Sequence, residues 1–367
     1  MITVDFNEVA QKIVRVCAGV QKGETVYIRG RSDNLVFCEN IAFHCRKMGA
    51  YPICEVVSDE YRFRDLTESP VEVIQHAPKH FLSALKKTDI LFSVGVEPQN
   101  PQKFSDIPLE REHARRTFSK QVVDLFNTYP EKRRIGIGFP TPEQAHLYNI
   151  QYESFYTMFW NAMNTDYTSL SQRARILADI VAQGSEVHIT TEKGTDLTMD
   201  IGERRVSIDD GIIDQEDMKT GNRLLNLPTG EVYTTPHEDS VEGTVVFDLA
   251  FHRGKRMEEV TVSFSDGIAT PVKARKGFST FTQILKNAKG DRYRIGELGI
   301  GLNPEVTAAV GYVLTDEKMV GTIHLAFGEN RSYGGKNESD IHWDVLVMNP
   351  TVTIDGTLLL KKGALLI

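Results

Sequence analysis

Cysteine is scarce in this chain, four residues in 367, and all four (Cys17, Cys38, Cys45 and Cys54) fall within the first 54 positions. With no C-x-x-C pair among them, they argue against a thiolate metal site or a disulfide framework. They read instead as small buried hydrophobes of a reduced intracellular protein. No run of 18 apolar residues is present, which excludes a membrane-spanning helix. The opening Met1-Ile-Thr-Val-Asp-Phe has no basic stretch followed by an apolar core, so no signal peptide is expected and the cytoplasm is the expected compartment. Positive charge is in deficit too. A formal net charge of −8 argues against nucleic acid or an anionic membrane as the main partner. Among catalytic signatures, the G-x-S-x-G elbow, the P-loop and H-E-x-x-H are all missing. Gly296-x-x-Gly299-x-Gly301 has the dinucleotide spacing reversed and is followed by Asn303-Pro304, so it is not that fingerprint.

What remains is ordinary globular composition, 41% hydrophobic and 25% charged, in a length that suggests two domains. Up to about residue 150 the pattern alternates helix and strand. Apolar stripes at helical spacing over 6–20 and 34–48 alternate with short strands at 24–29 and 51–57. Helices near 78–87 and 109–127 then bracket the nearly continuous apolar run Asp89–Val96, and the strand Arg134–Phe139 follows. This implies an α/β domain over 1–165 with a parallel sheet covered on both faces. Long helices within 152–182 connect it, to about residue 183, with a second domain over 184–367. There the pattern becomes β alternation, punctuated by Lys193-Gly194, Asp210-Gly211, Asp266-Gly267 and Asp355-Gly356 as turn signals. The expectation is a mainly antiparallel β domain, a barrel or strongly curled sheet, with helices near 278–289 and 304–314.

Five potential metal ligands lie in this second domain. Glu231 follows a Pro-Thr-Gly turn, and Glu297 sits in Gly296-Glu-Leu-Gly-Ile-Gly. His324 occupies the apolar stretch Gly321-Thr-Ile-His-Leu-Ala-Phe-Gly, and His342 and Asp344 form H-x-D ahead of Val345-Leu-Val347. Residues two apart on a strand point to one face, so His342 and Asp344 can serve one ion or two neighbouring ions. Taken singly, H-x-D is common on solvated strands, His324 could be a core histidine, and Glu231 could be exposed. Glu297 is harder to explain away, because a carboxylate buried among Ile295, Leu298 and Ile300 needs a cation or a metal. Together they offer three carboxylates and two imidazoles, a set accepted by divalent zinc, cobalt, manganese or iron. Five ligands suit two metals, an arrangement that hydrolyses amide or phosphate bonds. The polar, glycine-containing loop Glu329–Asn337 could shape a substrate pocket and present Tyr333 as a hydrogen-bond donor to an oxyanion. His237-Glu238-Asp239 reads as a loop near the site.

These segments resemble the thermophilic-type metalloaminopeptidases, peptidase family M29. The resemblance runs through Val20–Ile28, Gly49-Ala-Tyr-Pro52, Thr229-Gly-Glu-Val-Tyr-Thr-Thr-Pro236, Gly296–Asn303, Gly321–His324 and His342-Trp-Asp344. It implies that Glu231, Glu297, His324, His342 and Asp344 hold a pair of divalent ions (zinc, cobalt, manganese or magnesium). It further implies that Tyr333 is the active-site tyrosine, and that a homodimer removes N-terminal residues from peptide substrates. Glu231 or Glu297 would bridge the ions or take the proton of the attacking water. A second branch of the same fold, ring-cleaving dioxygenases of dihydroxypyridines with one ferrous ion, is the alternative. Its ligand pattern differs at the positions of Glu231, Glu297 and His324.

Overall fold

The strand Ile90–Val94 is buried along nearly its whole length, as a strand must be when helices cover both faces of its sheet. In the computed structural model, which describes residues 2–252 and 254–367, this strand is the centre of a five-stranded parallel sheet. The order across the sheet is Tyr51–Val57, Thr25–Arg31, Ile90–Val94, Arg133–Ile137 and Leu224–Leu227. Helices Leu35–Lys47, Lys79–Lys86 and Leu109–Thr128 lie between successive strands in the chain, so the expected α/β architecture holds. The last strand comes from far along the sequence. The chain forms two compact units, one from Met1–Asn164 with Gly211–Pro228 and the other from Thr165–Asp210 with Thr229–Ile367. Asp210-Gly211 is therefore not a hairpin turn. There the chain leaves one unit, and Leu225 and Leu227 become buried in the sheet of the other.

The second unit opens with helix Tyr167–Gln183, capped by the Asp166 carboxylate, which accepts from the backbone of Thr168 and Ser169. Its stripe Leu170, Ala174, Leu177 and Val181 joins the apolar core of this unit. The remainder is a large antiparallel sheet. Its path runs Ala364–Leu365, Thr357–Lys361, Thr351–Ile354, Glu186–Thr190, Asp196–Asp200, Glu242–His252, His342–Met348, Thr322–Gly328, Ile295–Gly301, Glu231–Thr234 and Val206–Asp209. Glu242–His252 is a branch point. Its beginning pairs with Asp196–Asp200, its end with His342–Met348, and its other edge with Lys255–Ser265, which in turn pairs with Ile268–Lys276. Among the described residues the sheet thus branches and stays open at its ends, and does not close as a barrel. Asp266-Gly267 and Asp355-Gly356 have positive φ at both residues, the left-handed pair that a two-residue hairpin requires.

One expected helix is absent. Residues 304–312 form a loop, and only Val313–Asp316 is helical. The buried Asp316 carboxylate accepts from the backbone of Val310 and Gly311, and Gly311 adopts φ +100°, which together hold the segment out of helical geometry. Conversely, helices Asp59–Glu68 and Pro142–Tyr148 escaped the sequence reading.

Phe327 sits fully buried among Phe247, Phe264, Phe281 and Trp343, on the strand that carries His324. Phe327→Ala is expected to cost about 3–5 kcal/mol of stability, read from denaturant unfolding. An effect below about 1 kcal/mol would contradict this packing.

Candidate metal centre

Four neighbouring strands set the centre. Thr322–Gly328 lies between His342–Met348 and Ile295–Gly301, and Glu231–Thr234 flanks the last of these. Register places Asp344 opposite Ala326, His342 opposite Gly328, Glu297 opposite Ala326, and Glu231 opposite Gly301. Directly opposed residues share a face, so period-two geometry gathers all five side chains on one side of the sheet. The alternate residues Leu298, Ile300, Ile323, Leu325, Phe327, Trp343, Val345 and Val347 enter the apolar core behind it. A bulge between Ile295 and Glu297 sets this phase.

The donor atoms converge in two groups. His324 Nε2 lies 3.1 Å from Glu297 Oε1 and 3.5 Å from Glu231 Oε2. His342 Nε2 lies 3.6 Å from Glu297 Oε2 and 3.5 Å from Asp344 Oδ1. One ligand atom each from Glu297, His342 and Asp344 fit within 4.8 Å of one another. Glu297 therefore directs one oxygen to each imidazole. His342 Nδ1 donates to the Glu329 carbonyl at 2.8 Å, which fixes the proton on that nitrogen and leaves Nε2 free to ligate. Glu231 Oε2 is buried without a hydrogen bond, as expected of an atom reserved for a cation. His342 is the most open of the five at 26%, while His324 is sealed at 1%, so access is from the His342 side.

Glycine makes room for this arrangement. A Cβ on Gly299 would lie 2.0 Å from His324 Nε2, so the imidazole occupies the space above that glycine. Tyr333, on the short turn Arg331–Tyr333, packs its ring 5.3 Å from that of His342 and 5.5 Å from that of Tyr233. Its loop is pinned from below. Glu238 accepts from Arg204 and from the Lys336 backbone, and Arg204 also donates to the Gly334 carbonyl. The His237-Glu238-Asp239 loop thus acts through Glu238 on the Tyr333 loop, and His237 bonds the Gly202 carbonyl.

Four neighbours were not foreseen: Lys318, Asp209, Glu317 and Tyr233. Lys318 is 1% exposed, and its ammonium lies 2.5 Å from Glu231, 2.9 Å from Glu317 and 3.3 Å from Asp209. Burial opposes its charge, but the three carboxylates outweigh burial and hold its pKa well above the usual lysine value. Glu317-Lys318 follows Asp316 and reads in sequence as a solvated turn, so no pattern announced it. Tyr233 follows Glu231 by two, and that spacing on a strand was the available signal.

Burial disfavours the charged imidazoles. It is outweighed at His324 by the Glu297 hydrogen bond with the charges of Glu231 and Asp344, and at His342 by Asp344 and Glu297. The result is values pushed up to about 9 and about 10. Glu231 is pushed up to about 8, chiefly by burial. Both imidazoles are raised, so their contribution to stability is full below about pH 6.5 and is lost as pH rises through about 9 and 10. The raised carboxyl of Glu231 adds a loss of the same sign up to about pH 8. The thermal midpoint of the metal-free protein is expected to fall from pH 6.5 to 10, and saturating zinc should flatten the fall by replacing the protons. A midpoint that rises with pH over this range would contradict the cluster's electrostatics. Gly299→Ala should displace the His324 ring and weaken metal binding at least tenfold in a zinc titration. Unchanged affinity would mean that the ring lies elsewhere.

A family model described as thermophilic metalloprotease (M29) matches residues 3–365. Aminopeptidase AmpS of Bacillus subtilis (strain 168) is 23% identical over 391 residues, covering 96% of this chain and 94% of that protein. Aminopeptidase T of Thermus aquaticus is 35% identical over 152 residues, 36% of each chain. Among solved structures, wild-type AmpT from Thermus thermophilus superposes with a TM-score of 0.76 at 20% identity, covering 99% of both chains. The 2,5-dihydroxypyridine dioxygenase from Pseudomonas putida KT2440 does so with a TM-score of 0.68 at 16% identity, covering 99% of this chain and 98% of its own. At such identities these structures establish the fold, a parallel α/β sheet and a large antiparallel sheet. The family rests on the model that spans nearly the whole sequence: the chain belongs to the M29 family of thermophilic metalloproteases.

Proposed function

We propose that this chain is an aminopeptidase that releases N-terminal residues from peptides at a pair of divalent ions held by Glu231, Glu297, His324, His342 and Asp344. Metal dependence and exopeptidase activity follow from the family and from relatives named as aminopeptidases. The pair of ions is supported by one observation above the rest, the Glu297 carboxylate with an oxygen on each imidazole. Charge agrees with it. Asp209, Glu231, Glu297, Glu317 and Asp344 set five carboxylates against the single Lys318 ammonium, leaving four negative charges for neutral imidazoles. Two divalent cations carry four positive ones. An oxygen-rich set with two imidazoles suits zinc, cobalt, manganese or magnesium.

Ions bound there supply Lewis acidity, which polarises a scissile carbonyl and acidifies water. The chain's own groups do the rest. Glu297 is faced by imidazoles at both oxygens, and Glu231 turns Oε2 towards His324, which supports both glutamates as ligands. Burial and the charge of Glu297 keep the Tyr333 hydroxyl protonated, so it can donate to the oxyanion that develops on the former carbonyl. The ring-cleaving iron enzyme is the weaker reading, because Glu231 and His324 complete a second donor group here. A cytoplasmic homodimer belongs to the same proposal. Cys38, Cys45 and Cys54 are not in disulfides, and no helix among the described residues is long and apolar enough to cross a membrane.

Gently purified protein is expected to carry about two ions per chain and to release leucine from a short peptide until a chelator is added. Glu297→Ala and His342→Ala should abolish release with the fold intact. Tyr333→Phe should lower kcat by about 10²-fold with little change in KM. One iron per chain with an oxygen requirement and no peptide cleavage would overturn the reading.

A further inference from the structure

Lys318 is a buried ammonium whose ion pairs use up its three donors on three carboxylates. Two of these, Asp209 and Glu231, stand directly opposite each other on the paired strands Val206–Asp209 and Glu231–Thr234. The third, Glu317, is its chain neighbour. The backbone fixes where the lysine sits. Its carbonyl accepts from the Asn303 backbone at 2.8 Å, and the Asn303 side chain donates to the Thr229 carbonyl at 2.7 Å, two residues before Glu231. The ammonium is therefore held by the same stretch that delivers the glutamate.

Its hold on Glu231 is one-sided. Oε1 lies 2.5 Å from the ammonium, while Oε2 has no hydrogen bond and faces His324 Nε2 at 3.5 Å. Tying one oxygen of a carboxylate fixes the direction of the other, as groups behind metal ligands commonly do. His342 and Asp344 stand outside this clamp, since the ion pairs of Lys318 are with Asp209, Glu231 and Glu317. The two donor groups thus differ in how they are built. One is braced by a buried ion-pair network, and the other is braced by the Glu329 carbonyl behind His342.

We propose that Lys318 is a positioning residue that acts through Glu231 chiefly on one ion position, between Glu231 and His324, rather than on the position between His342 and Asp344. This rests on the two-ion reading above. It also has a sign of its own. Removing a positive charge near a cation would by itself tighten binding, whereas losing the grip on Glu231 weakens it.

The test is a zinc titration of metal-free protein, followed by calorimetry and by the ring resonances of His324 and His342. The unaltered chain should bind two ions and shift both rings. Lys318→Met should bind one ion as before and the other about 10- to 100-fold more weakly, with His324 as the lagging ring. In a Glu231→Gln background, Lys318→Met should have no further effect, because the lysine works through that glutamate. Asp209→Asn leaves Lys318 and every candidate ligand in place, and should weaken the same ion by a smaller factor. It decides the matter if Lys318→Met does not fold. Unchanged or tighter binding in these variants, equal weakening at both rings, or additive effects with Glu231→Gln would each overturn the proposal. An unaltered chain that binds fewer than two ions would instead remove the two-ion reading beneath it.

Discussion

Burying like charges together is the constraint around which the second unit is organised. Asp209, Glu231, Glu297, Glu317 and Asp344 are all mostly buried, and carboxylates so placed repel one another and lose their hydration. The protein answers with one ammonium and two imidazoles, and in the metal-free state with protons retained well above their usual range. Such a cluster persists only if the scaffold holds it. The alternate residues of the same strands supply that scaffold: each strand buries a row of Leu, Ile, Val and aromatic side chains behind the site. Stability and chemistry are thus assigned to opposite faces of one sheet.

That division also explains what could be read from the sequence. A polar residue interrupting an apolar strand is conspicuous, and Glu297, His324 and the His342–Asp344 pair all announce themselves in this way. Strand period then suffices to put them on one face. Lys318, Glu317 and Asp209 could not be recognised, because Asp316-Glu317-Lys318 has the composition of a surface turn and its burial depends on partners over 80 positions away. The segment 304–314 misled for a related reason. Its helical pattern is overridden by the Asp316 carboxylate, whose bonds to Val310 and Gly311 are invisible to periodicity. Asp210-Gly211 has hairpin composition, yet the strand Leu224–Leu227 beyond it pairs with a free sheet edge far back in the chain.

The aminopeptidase and dioxygenase folds share these two sheets, so architecture alone does not choose between hydrolysis and oxygen chemistry. The choice lies in which polar side chains stand on the open face. Here Glu231 and His324 lie beside the His342–Asp344 pair, and Glu297 has an oxygen near each imidazole.

The excursion of residues 211–228 has a consequence for how the chain is made. The parallel sheet lacks its last strand until residue 227 has left the ribosome, and until then Arg133–Ile137 presents an unpaired edge. By that time Thr165–Asp210 has also emerged, but most strands of its sheet, from Glu231 onward, have not. Neither unit can finish before the chain has begun the other, so the usual order of N-terminal domain first is interleaved here. A nascent chain that has emerged only as far as 211–223 would expose both an open sheet edge and an unfinished apolar core, the state in which such a protein most needs a chaperone.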